Sequence, residues 1–155
     1  MMDDLRDLYQ EVILDHGKSP RNFRATEDAT CLAHGNNPLC GDQLTVFMKV
    51  DDRDVVEDAS FIGRGCAISM ASASMMTELV CGKSKEEVGH LFGRFHAMCT
   101  GADSETDQAM GEEMDRLQVL SGVRGFPVRV KCATLAWHTM QAALKGEAEV
   151  TTEEP

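Results

Sequence analysis

Three cysteines and one aspartate in this chain have the residue types and settings of metal ligands. They lie in Asn37-Pro38-Leu39-Cys40-Gly41-Asp42, in Gly63-Arg64-Gly65-Cys66 and in Arg129-Val130-Lys131-Cys132. Soft thiolates with a single carboxylate make a four-coordinate donor set whose usual occupant is zinc. The same sulfurs are nucleophiles, so such a site can hold a metal, accept sulfur, or alternate between the two. Gly41 can take positive φ, which lets a tight turn aim Cys40 and Asp42 at one ion. Formally, three thiolates, a carboxylate and Zn2+ leave an excess negative charge, which the sequence neighbours Arg64, Arg129 and Lys131 would offset. The carboxylate is harder than a thiolate, so a set of three thiolates and one carboxylate exchanges ligands more readily than a set of four thiolates.

The elements that must bring these residues together are readable from periodicity. Leu5, Leu8, Tyr9, Val12 and Ile13 recur at helical spacing and predict a helix from Asp3 to about His16, stopped by Gly17 and Pro20. Gln43 to Val50 reads as a strand, Asp51 to Asp54 as its turn, and Val55 to Ile62 as its antiparallel partner. A third strand is expected near Thr30 to Ala33. After Gly65 the pattern turns helical. Ala67 to Val80 is followed by Gly82. Ser84-Lys85-Glu86-Glu87 is a capping box that opens a helix to about Cys99. Thr106 to Leu120 forms another, Phe126-Pro127 breaks the chain, and Cys132 to Leu144 is the last. On this reading Cys66 and Cys132 both open helices, where free backbone N–H groups lower a thiol pKa. Strands first and helices afterwards predict an α+β fold: a small antiparallel sheet of about three strands with helices packed on one face. Residues 1–146 form a single domain, and the acidic tail 147–155 is expected to be disordered.

Composition removes several function classes. The 155 residues carry 15 basic against 26 acidic side chains, a formal charge of −11, which argues against a nucleic-acid partner. No apolar run reaches the length of a membrane span and no secretory signal opens the chain, so a soluble, cytoplasmic protein is expected. In the reducing cytosol six cysteines signal metal or catalysis before disulfides. With 5% aromatics and ten methionines, the core leans on aliphatic and thioether packing.

From Leu5 to about Leu144 the chain resembles the U-type iron–sulfur assembly proteins, the SufU/IscU group. The resemblance rests on Leu8-Tyr9, Asp15-His16, Pro20-Arg21-Asn22, the Cys40 and Cys132 motifs above, Phe61-Ile62-Gly63-Arg64-Gly65-Cys66-Ala67-Ile68-Ser69 and Ala71-Ser72-Ala73-Ser74-Met75-Met76. It implies a compact α+β fold and Cys40, Asp42, Cys66 and Cys132 as metal ligands. It also implies a pyridoxal-phosphate cysteine desulfurase of the SufS-like type as partner and an iron–sulfur scaffold downstream. Lys131 stands where IscU-type scaffolds place a histidine, and residues 101–122 look like an inserted helix. Both departures resemble the SufU type, which binds zinc and accepts sulfur from the desulfurase. The expected function is therefore a zinc-dependent sulfur acceptor with sulfurtransferase-type activity. Cys40 is the acceptor on the flexible side of the site, and Arg129 steers the exchange or pairs with Asp42 when the metal shifts. The alternatives are a scaffold for a [2Fe–2S] cluster on the same four side chains, and a structural zinc domain that only regulates a partner. A zinc hydrolase fits less well, because no Glu or His stands in a general-base motif beside the ligands.

The other candidates have plainer readings. Cys31, Cys81 and Cys99 are small packing residues, and the i, i+3 pair His96 and Cys99 reflects helix packing. His34 reads as a loop histidine, His16 as a helix-end residue favoured when protonated, and His138 as helix surface or core edge. The small residues Ala71 to Ser74 allow close helix packing, and the acidic residues 103–115 form a solvated face.

Overall fold

Alternation at every second residue decides which way the sheet faces. In β1 (Cys31–Asn37) the buried positions are Ala33, Gly35 and Asn37; in β2 (Asp42–Val50) they are Asp42, Leu44, Val46 and Met48. The apolar members of both rows enter the core, and the row in each strand ends in a polar residue at the same end of the sheet. A computed structural model of the chain describes residues 2–101 and 111–152, with side chains for 9–101 and 113–152.

Among the described residues the sheet has four strands in the order β3-β2-β1-β4, with β3 at Val56–Arg64 and β4 at Glu149–Thr151. The first three are antiparallel, as the sequence predicts, with Asn37 opposite Asp42 and Gln43 opposite Arg64. The fourth is a correction. Part of the tail expected to be disordered runs parallel to β1, with His34 opposite Glu149 and Asn36 opposite Thr151.

Among the described residues five α-helices complete the fold: α1 (Met2–Lys18), α2 (Ala67–Val80), α3 (Lys85–Thr100), α4 (Gly111–Leu117) and α5 (Pro127–Leu144). A 3-10 turn, Gln118–Val123, follows α4; residues 106–110 of the helix expected at 106–120 lie outside the described residues. α5 packs on β1 and β2, α2 on β3 and α5, α1 on α2, and α3 on α5. The Ala71 to Thr77 run of α2 is buried on every side, which its small residues permit. Gly35 serves the same end on the sheet: a Cβ there would lie 2.0 Å from Thr139 Oγ1, so only glycine lets α5 sit this close to β1. The core centres on Trp137, Phe61 and Phe95, filled in by Met48, Met75, Met76 and Met98. Trp137 stacks on Phe95 at 4.7 Å and donates its indole N–H to Ser72. Among the described residues no helix is long and apolar enough to cross a membrane.

Two readings change in three dimensions. α5 starts at Pro127, not Cys132: Pro127 occupies the first turn, where its missing N–H costs nothing, so the residue read as a break is a helix start. His16 is buried rather than a solvated helix end. Its Nδ1 lies 2.7 Å from Ser74 Oγ, which also accepts the Arg21 N–H, and burial lowers its pKa.

Candidate metal centre

Three chain segments converge at the end of the sheet where the inward rows turn polar. The first is the β1–β2 hairpin. Between the paired residues Asn37 and Asp42 the loop Pro38–Gly41 closes with a Cys40 N–H to Asn37 carbonyl bond, and Gly41 takes φ +73°. The reversal leaves Cys40 exposed and points Asp42 inward, fully buried. The second is the β3–α2 junction, where Cys66 caps α2 and its Sγ accepts the Ser69 N–H at 3.5 Å. The third is the second turn of α5, which carries Cys132, 2% exposed.

Asp42 ties the first two segments together. Its Oδ1 accepts the Cys66 N–H at 2.9 Å and its Oδ2 accepts Asn37 Nδ2 at 3.2 Å. Neither donor is a cation. A carboxylate buried beside neutral hydrogen-bond donors is costly, and a bound cation would compensate it. Gly65 is shaped to it: a Cβ there would stand 2.7 Å from Asp42 Oδ1.

The sulfurs cluster around this carboxylate. Cys132 Sγ lies 3.1 Å from Cys40 Sγ, and all six cysteines are free thiols. One donor atom each from Cys40, Asp42 and Cys132 lies within 4.8 Å of the other two. Zn–S bonds of ordinary length at tetrahedral angles place sulfurs about 3.8 Å apart, so the Cys40 and Cys132 sulfurs need part by only about 0.7 Å to seat a zinc ion. Cys66 falls outside that tight trio and joins it through Cys132. The neighbouring Cys132 thiol first, and then the Ser69 and Ile68 N–H groups, bring the Cys66 pKa down to about 7. Cys132 moves the other way: the neighbouring Cys66 sulfur, burial and the Cys40 sulfur that accepts its thiol all disfavour its thiolate. Its position in the second helical turn removes the N-terminal effect that the sequence reading assigned to it.

The remaining candidates sit elsewhere. Arg129 is exposed, with its guanidinium 4.7 Å above the Phe126 ring. Arg64 is exposed at the end of β3. His34 is on β1, not a loop, and faces Thr45 on the outer side of the sheet. His96 and His138 pack edge to face on α3 and α5 beside Phe92. Cys99 is fully buried, which pushes its pKa up to about 12. One residue escaped the sequence reading. Asn37, fully buried, donates from Nδ2 both to Asp42 and to Cys132 Sγ (3.4 Å). Its signal was the alternation of β1, which turns an amide into the core two residues beyond Gly35.

The NifU-like N-terminal domain model matches residues 8–114, a stretch that holds Cys40, Asp42 and Cys66. The chain belongs to this family. Within the NifU-like family it is 42% identical over 144 residues to the zinc-dependent sulfurtransferase SufU of Bacillus subtilis, covering 93% of this chain and 94% of that one. It is 41% identical, over 93% of this chain and 87% of the other, to the iron–sulfur cluster assembly scaffold protein IscU of Streptococcus pyogenes. The crystal structure of the N-terminal part of a NifU-like protein from Brucella abortus superposes with a TM-score of 0.79 at 21% identity, over 92% and 95% of the two chains, and shares the fold.

Proposed function

We propose that this NifU-like chain is a zinc-dependent sulfur acceptor that takes persulfide sulfur from a cysteine desulfurase and passes it on for iron–sulfur cluster assembly. Cys40, Asp42, Cys66 and Cys132 are the residues that would hold zinc. The ion would supply a fixed positive charge that keeps the thiols deprotonated and the buried carboxylate compensated. The likeness to the SufU of Bacillus subtilis supports this reading.

The observation that carries the assignment of roles is the difference among the three sulfurs. Cys132 accepts the Asn37 amide N–H and is buried. Cys66 accepts the Ser69 N–H and is half-buried. Cys40 is exposed at the hairpin tip and, among the described residues, its sulfur accepts only the Cys132 thiol, a bond that is lost once that thiol is deprotonated, and no N–H group. A hydrogen bond to sulfur draws off the electron density that makes a thiolate nucleophilic. Cys40 is therefore the sulfur best placed to attack, while Cys66 and Cys132 remain as anchors.

The transfer balances as thiol–disulfide exchange. The Cys40 thiolate attacks the outer sulfur of the desulfurase persulfide, and a new sulfur–sulfur bond forms on Cys40. The bond between that outer sulfur and the desulfurase cysteine breaks, and the desulfurase leaves as a thiolate. A pyridoxal-phosphate desulfurase of the SufS-like type is the donor class, and an iron–sulfur scaffold is the next acceptor. Asp42 and Asn37 keep the remaining donors in place while Cys40 is engaged.

The test uses desulfurase, labelled cysteine and each Cys→Ala variant. Label is expected on the wild type and on no cysteine of the Cys40→Ala chain; strong labelling of Cys40→Ala refutes the assignment. The second reading, a [2Fe–2S] scaffold, draws on the 41% identity to the IscU of Streptococcus pyogenes. Protein isolated without oxygen separates the two. Colourless chain with one zinc supports sulfur transfer, and brown chain with iron and sulfide supports the scaffold.

A further inference from the structure

The donor set is connected to the C-terminal strand through a chain of two hydrogen bonds. Thr152, the residue after β4, donates its hydroxyl to Asn37 Oδ1 at 2.9 Å, and its backbone N–H bonds to the Asn36 carbonyl at 3.0 Å. The opposite side of the Asn37 amide, Nδ2, serves Asp42 Oδ2 and Cys132 Sγ together. A carboxylate can only accept, so it demands the amide N–H, and the Thr152 hydroxyl completes the arrangement by occupying the amide oxygen. With both ends engaged, the amide cannot rotate, and the bracket it forms between a hairpin ligand and a helix ligand is rigid.

We propose that Thr152, acting through Asn37, is a positioning residue for the metal centre, so that the short C-terminal strand sets how tightly the site holds its ion. The inference rests on the zinc reading above. β4 has three residues and pairs only with β1, among the described elements. An edge element so short opens at low free energy, so lifting it would loosen Asp42 and Cys132 without unfolding the core. Outer-shell partners of metal ligands commonly matter about 10–100-fold for metal affinity, and a partner one bond further out, contributing a single neutral hydrogen bond, matters about fivefold.

The experiment compares wild type, Thr152→Val and Thr152→Ser. Valine keeps the strand-favouring β-branched shape and removes the hydroxyl; serine restores it. In the zinc-loaded chains, Thr152→Val is expected to release zinc to an excess of chromophoric chelator about fivefold faster than wild type, with altered thiolate-to-cobalt bands in the cobalt form, while Thr152→Ser returns to wild-type behaviour. Wild-type release and spectra in Thr152→Val overturn the proposal. The metal-free chains give an independent readout by iodoacetamide labelling and mass spectrometry. Cys132 is expected to react several-fold faster in Thr152→Val, with buried Cys99 as an unchanged internal control. Equal Cys132 rates in the two chains overturn the positioning role whether or not zinc binds. Failure of the wild type to hold one zinc would instead refute the metal reading alone.

Discussion

Gly65→Ala tests the metal centre by adding one methyl group. The new Cβ would stand 2.7 Å from Asp42 Oδ1, 3.2 Å from Cγ and 3.3 Å from Cβ. Ordinary contact requires a retreat of about 0.7 Å for the closest atom. The carboxylate is fully buried and its two oxygens are already bound, so the retreat comes at the expense of the 2.9 Å bond from the Cys66 N–H. A hydrogen bond to a charged group contributes about 1.5–3 kcal/mol, which corresponds to roughly a 10- to 100-fold loss of zinc affinity at about 1.4 kcal/mol per decade. Gly65 has no positive φ, so alanine suits its backbone and even restricts the unfolded chain, by about 0.4–1 kcal/mol. The metal-free chain also loses that bond, offset only in part by its stiffer unfolded state, so the discriminating result is a zinc affinity that falls by more than the metal-free stability does. The assay is a competitive zinc titration alongside thermal melts of metal-free protein, with Gly93→Ala as control, because nothing lies within 4 Å of a Cβ on Gly93. Wild-type zinc affinity in Gly65→Ala would refute the placement of Asp42 as a ligand.

Other perturbations probe the frame around the site. Gly35→Ala drives a Cβ to 2.0 Å from Thr139 Oγ1 and should cost about 1–3 kcal/mol in denaturant melts; adding Thr139→Ala should recover much of it, and strict additivity of the two would refute the contact. Burial lowers the His16 pKa below its ordinary value of 6.5, and burial followed by the nearby His96 does the same for His138. Both are neutral in the folded chain, so their contribution is complete above the unfolded pKa, about 6.5, and is lost as pH falls through the folded values. The metal-free protein should lose stability on acidification below that pH, and His16→Gln should flatten the slope; an unchanged slope would count against His16. Cys99, with a pKa near 12, should remain unmodified by iodoacetamide in the folded metal-free chain while Cys40 reacts; equal rates would show that α3 opens readily.

What was legible in the sequence follows the range of the interactions that decide each element. Ala67 to Val80 has the expected ends because a cap at Cys66 and a stop at Gly82 are local signals, and the Ser84–Glu87 capping box is formed on both sides as read. The β2–β3 hairpin was likewise written in its own turn. The misses are cases where distant partners decide. Glu149–Thr151 is too short and polar to read as a strand; it pairs because β1 presents a free edge more than a hundred residues earlier. Pro127 reads equally as a break or a first-turn residue, and packing against β1 and β2 selects the second.

The site illustrates a further limit. Cys40, Cys66 and Cys132 are the same residue type, and their motifs mark them all as ligands without ranking them. The ranking arises from which backbone or amide N–H groups each sulfur meets, and those are supplied by a helix start for Cys66, a buried strand-end amide for Cys132 and, among the described residues, none for Cys40. Asn37 makes the point sharply. Its identity became informative only when β1 turned it inward, β4 engaged its oxygen and α5 brought Cys132 to its nitrogen. A thiolate set of this kind can keep a tight grip through two sulfurs and offer the third to a partner only if the donors are unequal. The inequality is a property of the fold rather than of the motif. Exchanging the sulfur environments should therefore exchange the roles: relieving Cys132 with Asn37→Ala should raise its reactivity toward persulfide relative to Cys40, read as the ratio of label on the two residues, and a ratio unmoved by that substitution would show that hydrogen bonding does not sort the sulfurs.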